Sequence, residues 1–205
     1  MTRVKICGIC NSATAREINS LRVDAIGLVF AESTRVVTVD MARDIARVLR
    51  KDIERIGVFV NEDVDIVNRI SKDLNLDYVQ LHGDEDLEYI KRVNCRVMKA
   101  FSIKEKSDLL RIENYSRVDR ILLDAKCEKY RGGEGRTFDW NILKGLKDSY
   151  REKLVLAGGL NINNINRAID ETLPYMVDVS SGVEVNGVKR IKLIEKFINS
   201  VKGER

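Results

Sequence analysis

Cys7 and Asp124 are the residues of this chain best placed to move protons. Cys7 closes the short apolar run Arg3–Cys7, and Asp124 closes Ile121-Leu122-Leu123-Asp124. Each is read alone: Cys7 as a proton-transfer group at a strand's end, and Asp124 as either a helix or loop cap or a functional acid. Cys7-Gly8-Ile9-Cys10 also has the C-x-x-C spacing of a zinc half-site or a redox pair. Zinc needs two further ligands, yet Cys95 and Cys127 are 127 − 95 = 32 residues apart and His82 is the only histidine. A thioredoxin-like pair belongs at a helix N-terminus, whereas Cys7 ends a strand. Cys7 and Cys10 therefore read as two small buried residues, with Cys7 alone a candidate proton-transfer group.

Other polar residues sit where apolar ones would be expected. Asp178 lies inside Met176-Val177-Asp178-Val179-Ser180, and strand alternation puts Met176, Asp178 and Ser180 on one face. A carboxylate there needs a partner. The same alternation pairs Lys5 with Cys7, and Gln80 with His82. If these faces point inward, the interior is polar at one end. Lys5 beside Cys7 predicts an ammonium that draws the thiol pKa down, opposed by desolvation in that interior; the alternative is that Lys5 pairs with Asp178, too far away to matter to the thiol. His82 has no second histidine for a metal site and no Gly-x-Ser-x-Gly elbow for a triad. Gly158-Gly159-Leu160-Asn161, with Asn161 as a helix N-cap, and Ser180-Ser181-Gly182 read as two phosphate-binding turns. Gly133-Glu134-Gly135 matches neither nucleotide-binding pattern.

These residues must be carried by strands. Candidates are Arg3–Cys7, Ala25–Phe30, Arg55–Val60, Tyr78–Leu81, Arg96–Phe101, Arg120–Asp124, Leu154–Ala157 and Met176–Ser180. Helical periodicity falls between them, near 12–22, 40–51, 63–74, 84–93, 105–114, 139–147, 162–171 and 189–201. Strands filled with Ile, Val and Leu and alternating with helices indicate a parallel sheet buried on both faces. Eight units in 205 residues leave roughly 26 residues each, which favours a single (β/α)8 TIM barrel over residues 1–205 rather than a doubly wound sheet. In such a barrel the C-terminal ends of the strands form the catalytic rim, and the turns after strands seven and eight seat phosphate. The long stretch from Ala125 to Asp139 reads as a functional loop.

Composition agrees with a folded chain that can bury a core. The chain is 44% hydrophobic and 33% charged, with a net charge of +4 spread along its length. No block of like charge supports nucleic-acid binding, and no apolar run is long enough to span a membrane. Four cysteines are too few for a disulfide framework, which points to a reducing cytoplasm.

In strict order, the chain carries Lys5-Ile6-Cys7-Gly8-Ile9, Gly57-Val58-Phe59-Val60-Asn61 and Val79-Gln80-Leu81-His82-Gly83. Leu122-Leu123-Asp124, Gly132-Gly133-x-Gly135-x-Thr137-Phe138-Asp139-Trp140, Gly158-Gly159-Leu160 and Asp178-Val179-Ser180-Ser181-Gly182-Val183-Glu184 follow. Together these motifs resemble the phosphoribosylanthranilate isomerase family of tryptophan biosynthesis over essentially the whole chain. The resemblance implies a (β/α)8 barrel, an Amadori rearrangement of a phosphorylated aminoaldose, and no metal or organic cofactor. It implies Cys7 as general base, Asp124 as general acid and Arg35 facing the anthranilate carboxylate. His82 and Asp178 would lie near the substrate, with Gly158, Gly159, Ser180, Ser181 and Gly182 around its phosphate.

Thr34, Cys10 and Arg190 depart from the family pattern, and none is the proposed acid or base. A sugar isomerase of histidine biosynthesis would carry an aspartate where Cys7 stands. A redox or scaffold protein built on Cys7 and Cys10 would lose both thiols together under mild oxidant. Oligomeric state, monomer or homodimer, is open at the level of sequence.

Overall fold

The computed structural model describes residues 1–125 and 139–203. Its core is a closed barrel of eight parallel strands in sequence order. These are β1 (Arg3–Cys7), β2 (Ala25–Val29), β3 (Glu54–Phe59), β4 (Tyr78–Leu81), β5 (Val97–Ile103), β6 (Arg120–Ala125), β7 (Leu154–Leu156) and β8 (Met176–Val179). β8 closes on β1 with Lys5 opposite Asp178, and β1 meets β2 with Cys7 opposite Gly27. The (β/α)8 expectation therefore holds, each strand lying within two residues of its expected bounds.

Alternation divides the strands into an inner and an outer face. Ile56, Tyr78, Met98, Leu122, Val155 and Met176 meet in one cluster inside the barrel. Ile6, Ile26, Leu28, Val79, Leu123 and Val177 face outward into a larger cluster shared with the helices. The helices are amphipathic and close that outer layer. Val39–Val48 (α2), after α1 (Ser12–Ile18), starts where Thr38 Oγ1 accepts from the Met41 amide at 3.2 Å. In α3 (Val64–Asp73) Asp63 does the same for Asp65 and Ile66. The short α4 (Leu87–Lys91) is capped by Asp86.

The expected helices at 105–114 and 139–147 are broken up. The first is α5 (Leu109–Ile112) between two 3-10 turns. In the second, a 3-10 segment Trp140–Gly145 ends at extended Leu146, and α6 (Asp148–Arg151) begins afresh. A glycine followed by extended backbone stops propagation, whatever the apolar period. Asn161 does not cap the seventh helix either. α7 is Ile165–Thr172, and Asn161 Oδ1 accepts from Asn163 N in a local turn.

Between β8 and α8 (Ile191–Lys202) lies a hairpin absent from the sequence reading, β9 (Glu184–Val185) and β10 (Val188–Lys189). Its turn residues Asn186 and Gly187 have φ of 54° and 75°. Asn-Gly between apolar residues is a strong hairpin signal, hidden here by the helical period that follows it.

The two ends of the barrel interior differ. At the N-terminal end, Arg120 grips Glu54 in a fork with contacts of 2.7 and 3.0 Å. Arg3 reaches the same carboxylate at 2.9 Å, and the Arg120 guanidinium lies 3.8 Å from the Tyr78 ring centre. Outside the barrel, Lys99 Nζ binds the carbonyls of Leu81 and Gly83 and Glu85 Oε2 at 3.3, 2.6 and 2.9 Å. That buried pair fixes the turn after β4, and the site lies at the opposite end from the arginine plug.

Candidate active site

Residues from β1, β4, β6 and β8 bring the candidate chemistry to the C-terminal rim. Lys5, fully buried, donates to Asp178 Oδ2 at 2.8 Å. Gly27 lies against the same spot: a Cβ there would meet Cys7 Sγ at 2.7 Å and Lys5 Nζ at 3.2 Å. Thiol and ammonium thus converge over one glycine while Lys5 also holds Asp178, so the pairing with Asp178 does not take Lys5 out of reach of the thiol. The pull of the ammonium is opposed by desolvation. Burial pushes the Cys7 thiol above its ordinary value; Lys5 pulls it down, Asp178 pushes it up, and burial wins. Desolvation of a thiolate at the mouth of an apolar barrel outweighs an ammonium already shared with a carboxylate.

Arg35 lies along Gly8, whose φ of +81° and missing side chain leave room for the arginine stem; a Cβ would come within 2.5 Å of Arg35 Cδ. Its guanidinium grips Glu184 through Nε and Nη2 at 2.8 and 2.6 Å. Lys189 binds the same carboxylate at 2.6 Å, the Ser180 hydroxyl oxygen at 3.2 Å and the Ser180 carbonyl at 3.1 Å. Burial would raise the Glu184 pKa, but hydrogen bonds from Arg35 and Lys189 and their charges bring it down to about 2. Glu184 and Lys189 have no role in the sequence reading. The Asn-Gly hairpin was the available signal, because it folds both back over the rim.

Ser180 Oγ donates to the Cys7 carbonyl at 3.1 Å, joining the ends of β8 and β1. Cys10 directs its thiol to the carbonyls of Gly8 and Arg35 at 3.3 and 3.5 Å. It staples the first loop.

His82 and Asp124 face one another, with Nε2 3.6 Å from Asp124 Oδ2. Gln80 Nε2 lies 3.1 Å from His82 Nδ1. Burial, then the charge of Lys5, lowers the His82 pKa, so the ring is neutral near pH 7.

The two glycine turns also come together. Gly158 and Gly159 have φ of 86° and 64°. Asn161 and Asn164 both donate to the Gly159 carbonyl at 3.0 Å, fixing the turn. Gly182 packs directly on the Leu160 carbonyl, so a Cβ at that position would collide with backbone. Ser181 and Gly182 lie in the 3-10 turn Ser181–Val183. The motif at Gly132–Trp140 and Cys127 fall largely or wholly outside the described residues. Among the described residues no group of three or more His, Cys, Asp or Glu side chains could hold a metal ion, and no helix is long and apolar enough to cross a membrane.

A closed parallel barrel with thiol, carboxyl, imidazole and guanidinium groups on the C-terminal rim is the layout of a (β/α)8 enzyme. Residues 4–200 match the family model for N-(5'phosphoribosyl)anthranilate (PRA) isomerase. The chain is 44% identical over 200 residues to N-(5'-phosphoribosyl)anthranilate isomerase of Bacillus mycoides (strain KBAB4), covering 98% of each chain. It superposes on the phosphoribosyl anthranilate isomerase of Thermotoga maritima with a TM-score of 0.91, at 41% identity, covering 99% of this chain and 100% of that one. A phosphoribosyl anthranilate isomerase in complex with reduced 1-(O-carboxyphenylamino)-1-deoxyribulose 5-phosphate matches at 38% identity and a TM-score of 0.87, covering 99% and 100% of the two chains. The chain belongs to the phosphoribosylanthranilate isomerase family, isomerases of tryptophan biosynthesis.

Proposed function

We propose that the chain converts N-(5'-phosphoribosyl)anthranilate to 1-(2-carboxyphenylamino)-1-deoxyribulose 5-phosphate, with Asp124 as general acid and Cys7 as general base. The observation that carries this reading is the gathering of Cys7, Asp124 and Arg35 on one rim, with β7 and β8 between the strands of the thiol and the carboxyl. Asp124 gives its proton to the furanose ring oxygen; the C1'–O bond breaks as the anilino nitrogen lone pair forms a protonated imine. Cys7, as thiolate, removes the proton from C2', and those electrons neutralise the imine to an enolamine. Protonation at C1' and loss of the C2' hydroxyl proton then give the ketone. The atoms of substrate and product are the same, and no oxidant is required.

Arg35 meets the anthranilate carboxylate, held in place by Glu184. Phosphate sits at the turns of Gly158 and Gly159 and of Ser180, Ser181 and Gly182, where glycines let the backbone approach an anion closely. Asp178, through Lys5, keeps an ammonium beside the thiol. The substrate is a small phosphorylated molecule and the setting is cytoplasmic.

The test is a fluorescence assay for consumption of phosphoribosylanthranilate by the purified protein. Asp124→Asn should lower kcat by about 10²–10⁴-fold with little change in KM. Near wild-type turnover in that variant would remove Asp124 from the mechanism.

A further inference from the structure

Gln80 is buried on β4, two residues before His82 and on the same inward face. Its amide nitrogen lies 3.1 Å from His82 Nδ1, while its Oε1 has no partner among the described residues. A neutral imidazole has one donor and one acceptor nitrogen, and the partner of one decides the role of the other. With the Gln80 N–H directed at Nδ1, that nitrogen accepts, and the ring proton is on Nε2. Nε2 is also the atom facing Asp124 Oδ2, at 3.6 Å. An N–H there is attracted to the carboxylate, whereas a lone pair would be repelled. Both ends of the ring thus favour one tautomer.

We propose that Gln80 is a positioning residue that holds His82 in the Nε2–H form, so that His82 donates to Asp124 during the reaction. The proposal rests on the reading of Asp124 as general acid. The separation of 3.6 Å is beyond hydrogen-bond range in the free protein, and contacts of this kind tighten in the substrate complex. In the protonated acid, Nε2–H meets the carbonyl oxygen and leaves the O–H for the furanose oxygen. As the proton departs, the same N–H stabilises the carboxylate that forms. The opposite tautomer would present a lone pair at Nε2, compete with the substrate for the Asp124 proton and leave the new carboxylate unsupported. The charged groups coupled to the ring are Lys5 from β1, Asp178 from β8, Lys99 from β5 and Glu85 from the turn after β4, with Asp124 from β6 facing it.

His82 is the only histidine, so imidazole 15N NMR of the uniformly labelled protein reads this tautomer without assignment ambiguity. The wild type should show a protonated-type shift at Nε2 and a pyridine-type shift at Nδ1 at neutral pH. Gln80→Leu removes the donor: the tautomer should move toward a mixture, and kcat should fall about ten- to hundredfold with KM little changed. Gln80→Glu, whose carboxylate accepts from Nδ1–H, should invert the tautomer and lower kcat further than Gln80→Leu. An Nδ1–H ring in the wild type overturns the proposal without any variant, as does an unchanged tautomer in folded Gln80→Glu. Asp124→Asn separates the two readings. If it keeps turnover, the acid assignment fails whatever the ring does; if it loses turnover while His82 is Nδ1–H, only the role of Gln80 fails.

Discussion

At the scale of residues, the decisive quantity is the protonation of Cys7. Its pKa lies above the ordinary thiol value because burial outweighs Lys5, so the resting thiol is protonated at neutral pH. The profile of kcat/KM against pH reports free-enzyme groups, so its ascending limb should lie above the ordinary thiol value of about 8.5. Removing an ammonium that favours the thiolate moves that limb higher still. Lys5→Met alone would strand a buried Asp178, so the informative variant is Lys5→Met with Asp178→Asn. Lys5 acts on the thiol more strongly than Asp178 does, so the double variant should still titrate at higher pH than the wild type. A limb at or below the wild-type position in the folded double variant would show that Lys5 does not tune the thiol.

At the scale of elements, the hairpin β9–β10 holds Glu184 and Lys189 over the rim, and its turn depends on Gly187 at φ +75°. No atom lies within 4 Å of a Cβ built there, so Gly187→Ala adds backbone strain and no collision. The cost should be about 1 kcal/mol. Gly203, at the end of α8, has φ +73° and equally open surroundings. It serves as a matched control remote from the hairpin. Both variants should lose similar stability in urea unfolding, but only Gly187→Ala should raise KM, severalfold, by loosening the seat of Arg35. Equal KM changes in the two proteins would detach the hairpin from substrate binding.

At the scale of the whole molecule, the barrel has a structural end and a chemical end. The structural end is held by Glu54, between Arg120 and Arg3. Burial acts to raise the Glu54 pKa, but the hydrogen bonds and charge of Arg120, with Arg3, more than offset it and hold the carboxyl below its ordinary value. The stabilisation is therefore present above the unfolded pKa of about 4.3 and is lost as pH falls through the folded value. Glu54→Gln leaves Arg120 buried without its counter-charge, and should cost about 3 kcal/mol at pH 7. The loss, measured by denaturant titration, should shrink as pH drops below about 4, where the wild type loses the same contribution. Because the pair lies at the end of the barrel away from the rim, kcat of the folded variant should be unchanged.

The sequence by itself determined the barrel, the order of its strands and the shared faces of Lys5 with Cys7, of Gln80 with His82 and of Asp178 with Met176 and Ser180. Strand periodicity is local, and eight buried parallel strands separated by amphipathic helices have few ways to close. It also determined the family, through motifs that lie at strand ends. The tertiary structure decided what those residues do to each other. Lys5 reaches Asp178 across 173 positions, and Arg35 reaches Glu184 across 149, distances over which no local pattern operates. The Asn-Gly hairpin is legible in the sequence; the breaks in the helices at 105–114 and 139–147 are not, since an apolar period does not reveal where the backbone turns extended. The sign of the Cys7 shift was least legible of all. It is a difference between burial and the charges of Lys5, Asp178 and Lys189, and each depends on ångström-scale separations set only by the closed barrel.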